Sequence, residues 1–114
     1  MAEFAGHPRL QVLDLSSNDV DDTWIDALAE LPNLRRLDLS ATQVGQAHLK
    51  GLDRLMSLEE LDLSFTKTTD SALPALENLT QLQILDLRGC SWSEEILQSL
   101  GSKLPSCKIL FAAP

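Results

Sequence analysis

The sequence contains no tyrosine, and its aromatic residues make up only 4% of 114 residues. A hydrophobic core must therefore be built from aliphatic side chains, chiefly leucine. Only two cysteines are present, too few for a disulfide framework, so reduced thiols and a cytoplasmic location are expected. No apolar run approaches the ~20 residues that a membrane-spanning helix needs. These absences favour one small aliphatic domain over residues 1–114.

Basic residues are also scarce. Nine Lys and Arg stand against 17 Asp and Glu, which gives a formal net charge of -8. Nucleic acids and anionic membranes are bound by clustered basic side chains, so neither is expected as a partner. The acidity instead favours a protein partner with a basic surface, because opposite charges speed the encounter of two proteins.

Motifs for catalysis or metal binding are missing as well. The chain has no glycine-rich phosphate loop, no nucleophile elbow and no HExxH. His7 and His48 do not combine with Cys90 and Cys107 in any zinc-ligand spacing. We therefore expect no enzyme activity, no catalytic residues, no metal and no cofactor.

A repeat dominates what is present. The tetrapeptide LDLS occurs at 13–16, 37–40 and 61–64, and LDLR follows at 85–88. Each copy belongs to an L-x-x-L-D-L unit, and these units begin at Leu10, Leu34, Leu58 and Leu82, with Cys107 opening a partial fifth. Alternation of apolar residues in the first half of each unit predicts a short strand. Apolar residues three or four apart in the second half, such as Ile25, Leu28 and Leu31, predict a short helix.

This pattern resembles the leucine-rich repeat family, whose unit reads L-x-x-L-x-L-x-x-N/C/T, and the resemblance covers residues 10–111. Its helical second half is most similar to the ribonuclease-inhibitor-like and cysteine-containing subtypes. The resemblance implies an α/β solenoid of about four full repeats, with a short parallel sheet on the concave face and short helices on the convex face. It also implies a non-enzymatic protein-protein interaction module that binds its partner through the concave face.

The ninth position of the unit holds Asn18, Thr42, Thr66 and Cys90. The resemblance implies that this side chain turns inward and hydrogen-bonds the backbone, so Cys90 is interpreted as structural. Cys107 stands at a leucine position and is expected to be buried. Both thiols are expected to be free.

The repeated Asp lies between two inward leucines, so it should point outward from the sheet. Because neighbouring strands lie ~4.8 Å apart, the four Asp residues should form a column on the concave face. Two interpretations stay open. The column is either tolerated because the face is open to water, or it is a docking stripe for a basic helix or loop. A metal site has less support, since no His, Asn or glycine loop completes a coordination shell.

Partner-binding residues are predicted on the outward face and at its rim. Phe65 is unusual because an aromatic residue stands between repeats that carry Ala41 and Gly89 at the same position. It is either an exposed anchor or a cover over the turn and core. The predicted partner-binding set is Arg36, Asp38, Glu60, Asp62, Phe65, Asp86 and Arg88.

An alternative function also follows from the repeat. Solenoids need polar caps at their ends, and only nine residues precede the first repeat. The chain is therefore either an autonomous binding module or a structural or regulatory terminal segment of a longer array. In the second case, self-association through an uncapped repeat edge is expected.

Overall fold

The computed structural model describes residues 7–45, 49 and 51–113. Five three-residue strands form one parallel sheet in chain order: β1 (Val12–Asp14), β2 (Arg36–Asp38), β3 (Glu60–Asp62), β4 (Ile84–Asp86) and β5 (Lys108–Leu110). Leu13 pairs with Leu37, Leu37 with Leu61, and Leu61 with Leu85. Every strand thus pairs with the next at the repeat spacing seen in the sequence. The predicted α/β solenoid is confirmed.

The helical segments differ in length from repeat to repeat. Helix α1 (Asp22–Leu28) and helix α3 (Glu94–Lys103) have side-chain N-caps from Asp21 and Ser93. The other repeats contain the 3₁₀ turns Leu52–Arg54 and Asp70–Ala72, and the short helix α2 (Leu73–Leu76), none with a side-chain cap. A missing cap leaves the first backbone N–H groups without an intrachain acceptor, which disfavours longer helices.

Leucines fill the space between the sheet and the helical side. The inward positions in and just after the three central strands are buried, and the helical side of each of the four repeats adds a buried leucine. Together these are Leu37, Leu39, Leu61, Leu63, Leu85, Leu87, Leu28, Leu52, Leu76 and Leu100. Leu13 is only half-buried because β1 has no strand before it among the described residues. Trp92 is buried, and its Nε1 donates to Thr68 Oγ1 at 3.4 Å. The predicted inward leucines of the three central strands are confirmed, whereas Leu10 and Leu13 at the first strand are only partly buried.

The ninth-position side chains bond backbone carbonyls as expected. Thr42 Oγ1 donates to the Leu39 carbonyl at 2.7 Å, and Thr66 Oγ1 donates to the Leu63 carbonyl at 2.6 Å. Cys90 Sγ also donates to the Leu63 carbonyl, at 3.0 Å, and so links two repeats. Asn18 Nδ2 makes the corresponding bond at the exposed first repeat.

Both cysteines are free, as predicted. The expectation that Cys107 is buried was wrong, because this residue is half-buried. Cys107 precedes the edge strand β5, so the described chain has no later repeat to cover it. Burial still raises the pKa of the Cys107 thiol.

The first prediction tests the core. Leu61 is 1% exposed in the central strand, so Leu61→Ala should lower the free energy of unfolding by ~2–5 kcal/mol through lost burial and a residual cavity. Met56 is 68% exposed, and Met56→Ala should lower it by less than ~0.5 kcal/mol. Urea denaturation measures both values. A loss below ~1 kcal/mol for Leu61→Ala would contradict the described core.

The second prediction concerns thiol reactivity. Cys107 should react slowly with a maleimide in the native protein, because burial hinders access and disfavours the thiolate. Cys90 is 1% exposed and should react only when the chain unfolds. Labelling followed by mass spectrometry, with Cys107→Ser as control, distinguishes the two sites. Rapid labelling of Cys90 in the native protein would show that the buried position described for this ninth-position side chain is wrong.

Candidate functional site

The outward side chains of the sheet line a shallow groove of about 350 Å³. The groove brings together five of the seven predicted partner-binding residues, namely Arg36, Asp38, Glu60, Asp62 and Asp86. Val12, Asp14 and Ile84 line it as well. Phe65 and Arg88 follow the ends of β3 and β4, where they form the carboxyl-end rim of the groove. The groove and this rim together are the candidate site.

The repeated Asp has a local structural role at the end of each strand. Asp38 Oδ1 accepts hydrogen bonds from the N–H of Ser40 at 2.9 Å and from its hydroxyl at 2.6 Å. Asp14 with Ser16, and Asp62 with Ser64, repeat both bonds at the same distances. This is the pattern of an Asx turn, in which the Asp side chain bonds the backbone N–H two residues later in the same chain segment.

The Asx turn directs the chain away from the sheet. The residue that follows each Asp-x-Ser or Asp-x-Arg segment has a positive φ: Ser17 (60°), Ala41 (56°), Phe65 (57°) and Gly89 (78°). The sequence interpretation missed this role, and neither of its two alternatives for the Asp column included it. The signal was the serine that follows two residues after each of the first three Asp residues.

The Asp residues do form the predicted column, since strand pairing aligns Asp14, Asp38, Asp62 and Asp86. Their surroundings change along it, from exposed Asp14 to buried Asp86, which is 6% exposed. The Ser16 hydroxyl, followed by the Ser16 N–H, holds the pKa of Asp14 below its usual value of 3.8. The column is therefore a graded row of carboxylates.

Arg88 replaces the serine in the last of these turns. Its Nε lies 3.0 Å from Asp86 Oδ1, and its Nη2 lies 2.7 Å from Asp86 Oδ2. Burial by itself would raise the pKa of Asp86, but hydrogen bonds from the Arg88 side chain and N–H, with the nearby positive charge, bring it below 3.8. The same bonds raise the pKa of Arg88. This two-pronged ion pair neutralises the end of the column.

A second ion pair crosses the groove. Arg36 Nε lies 2.6 Å from Glu60 Oε2 on the neighbouring strand. Four of the predicted partner-binding residues therefore bind one another in pairs. Within the described chain, Asp14, Asp38 and Asp62 are left without an ion-pair partner, and only one oxygen of each carboxylate is used by its turn.

Phe65 lies at the rim with 68% of its surface exposed. Its ring rests on Gly89, where an added Cβ would stand only 2.4 Å from Phe65 Cδ1. The alternative in which Phe65 covers the core is wrong, because its side chain is mostly exposed and its ring lies against Gly89. Gly89 was not predicted as part of the site, although it is the partner that makes room for the ring.

The described residues contain no cluster of three His, Cys, Asp or Glu side chains suited to a metal ion. Within residues 7–45, 49 and 51–113, no helix has the length and apolar character needed to cross a membrane. The candidate site consists of ion pairs, unpaired carboxylates, the apolar Val12 and Ile84, and Phe65 at the rim.

Comparisons with known proteins agree with this architecture. Two leucine-rich repeat family models match the chain, one at residues 7–29 and one at residues 81–103. No curated protein sequence is significantly similar. Two solved structures under 25% identical share the fold. Leiomodin-1 actin-binding site 2 has a TM-score of 0.72 and 12% identity, and the match covers 97% of this chain and 76% of that one. The Chaetomium Mex67:Mtr2 subunits have a TM-score of 0.72 and 20% identity, and the match covers 96% of this chain and 81% of that one.

An internalin C2 from Listeria monocytogenes gives a TM-score of 0.74 at 26% identity. The match covers 96% of this chain but only 44% of the internalin, so the chain spans less than half of that structure. The repeated sequence unit, the five-stranded parallel sheet and these matches define the class of fold as a leucine-rich repeat solenoid.

The third prediction follows from the depressed pKa of Asp86. Since the folded-state pKa lies below the unfolded value of ~3.9, the carboxylate stabilises the fold above about pH 4. This contribution should disappear as pH falls through the lowered folded pKa. Asp86→Asn should lower the free energy of unfolding by ~1–3 kcal/mol at pH 7 and reduce its loss in acid.

Urea titrations at pH 7 and at pH values on either side of 4 measure the effect. Asp70→Asn provides a control at a carboxylate outside the groove. An unchanged acid dependence in Asp86→Asn would show that the ion pair with Arg88 does not form in solution.

Proposed function

We propose that this chain is a non-enzymatic protein-binding module and that its concave groove binds a basic protein surface. The observation that carries the proposal is the groove itself, which draws outward side chains from four successive strands into one surface. Strand pairing and buried leucines hold these strands in fixed register, so the surface is organised before a partner arrives. Such preorganisation reduces the ordering cost of association.

The carboxylates supply the expected electrostatic contact. Asp38 and Asp62 are half-buried and fixed by their serine hydroxyls, yet each keeps one oxygen outside its Asx turn. These oxygens suit the Arg or Lys side chains of a partner, which bond carboxylates strongly. The paired Arg36 and Arg88 add positive charge beside them, which disfavours a uniformly basic ligand and selects spaced basic residues.

Phe65 supplies the proposed anchor at the rim. A bulky residue with a positive φ is uncommon, and Phe65 has it because it stands at the turn position shared with Ser17, Ala41 and Gly89. The ring is mostly exposed and rests on Gly89 without entering the core. An exposed, supported aromatic ring that loses its water on binding is typical of an interface hot spot.

A second candidate is a structural or regulatory segment of a longer repeat array. The observation favouring it is the edge strand β5, where Ile109 within the strand and Cys107 just before it are only half-buried. In that case further repeats would cover this end. For either candidate we propose a cytoplasmic location, which the two free thiols support.

The fourth prediction tests the groove with basic peptides selected from a random display library against the chain. Asp38→Asn with Asp62→Asn should preserve both Asx turns, because the Asn side-chain oxygen also accepts hydrogen bonds. Losing the two charges should slow association about tenfold at low salt and flatten its salt dependence. Phe65→Ala should instead speed dissociation about tenfold or more, as expected for a lost anchor.

Surface-bound peptide kinetics at several salt concentrations measure these effects. Arg54→Ala and Glu77→Gln on the convex side serve as controls, and both should leave the kinetics unchanged. Circular dichroism checks that every variant is folded. If the convex variants abolish binding and the groove variants do not, the proposed site is wrong.

A further inference from the structure

The last repeat ends in an apolar face that no other described element covers. Strand β5 pairs with β4 on one side only, and α3 flanks it. The two elements enclose a groove of about 370 Å³ lined by Leu97, Gln98, Gly101, Cys107, Ile109 and Phe111, with Glu94 at one end. We call this surface the end face. It lies apart from the concave groove and shares no lining residue with it.

Gly101 gives the end face a feature that the fold does not require. It lies within α3, where glycine is less favourable than almost any other residue. Its φ lies outside the positive region, and a Cβ added there would meet nothing within 4 Å. Neither backbone conformation nor packing inside the chain therefore needs a glycine here. The open space in front of Gly101 leaves room for close approach by another molecule.

The end face is complementary to a copy of itself under a two-fold axis. Leu97 and Gly101 lie one helical turn apart on the same groove, so an axis midway between them sets the Leu97 side chain of each copy over Gly101 of the other. The same axis, running from the concave to the convex side, brings the two β5 edges together in antiparallel order. Antiparallel pairing of edge strands satisfies backbone groups that are otherwise open to water.

The charges of α3 agree with this arrangement. Its first turn carries Glu94 and Glu95, and its last turn carries Lys103. Lys108 begins β5 at the same end of the face as the last turn of α3. Two-fold symmetry places the acidic end of each face against the basic end of the other, whereas the copies' like-charged ends stay apart.

We propose that the end face is a homodimer interface, in which β5 and α3 of two copies pair antiparallel around Leu97 and Gly101. The dimer would join two five-stranded sheets into one and leave both concave grooves open. Closed two-fold dimers are the commonest oligomers of soluble proteins. A contact limited to one end face is small, so we expect dissociation in the ~10–100 µM range. The proposal does not rest on the proposed function of the groove.

Sedimentation equilibrium from ~5 µM to ~1 mM tests the proposal, because a weak dimer becomes populated across that range. The average mass should rise from the 12.5 kDa monomer to twice that value and then stop. Gly101→Gln should weaken association about tenfold or more, since the new side chain occupies the space that Leu97 of the other copy needs. Ser102→Gln places the same side chain one residue further on, outside the groove, and should leave association unchanged.

Folding and site are checked separately. Gly101→Gln should melt at or above the temperature of the original chain in dilute solution, because glutamine is the better helix former. Cys107 lines the end face, so its maleimide labelling should slow as concentration rises in the original chain and not in Gly101→Gln. Asp38→Asn with Asp62→Asn should dimerise normally, which separates this result from the groove experiment.

Three outcomes would overturn the proposal. The chain could remain monomeric at ~1 mM, which shows that the end face does not bind itself. Mass could grow beyond the dimer, which indicates head-to-tail stacking of repeats. Gly101→Gln could dimerise as well as the original chain, which places the contact elsewhere.

Discussion

Parallel pairing at a constant shift of 24 residues is the constraint on which the rest of the structure depends. It stacks each inward leucine on the leucine of the next repeat, and the core forms only because the stack is continuous. The same register aligns the outward positions. A residue that every repeat uses for a local purpose therefore becomes a column on the surface, whether or not the column has a role of its own.

The Asp residues show the physical cost of that alignment. Carboxylates ~5 Å apart repel by about 1 kcal/mol in water, whereas each of the first three gains two bonds from its own serine. The fourth is the most buried and has Arg88 as its partner. The ion pair with Arg88 thus lies at the carboxylate whose burial makes repulsion between the Asp residues most unfavourable. In each repeat, one Asp side chain therefore both closes the turn and contributes a charge to the surface.

Features that follow from periodicity could be predicted from the sequence. The inward leucines, the aligned Asp residues and the inward Thr66 depend only on repeat position, and the structure has them as expected. Features set by particular neighbours could not. Cys107 is half-buried because the described stack ends beside it. The pairing of Arg88 with Asp86 depends on rotamers, which a repeat pattern does not specify.

The contact between Phe65 and Gly89 limits how this array can grow by internal duplication. The ring occupies the place of a Cβ at the same position of the following repeat. A tandem copy of the third repeat alone would set a second phenylalanine against that ring and create a clash. A copy of the third and fourth repeats together would keep each phenylalanine in front of a glycine. The third and fourth repeats are therefore not interchangeable here, although their leucines are alike, because one carries the ring and the other the glycine that it rests on.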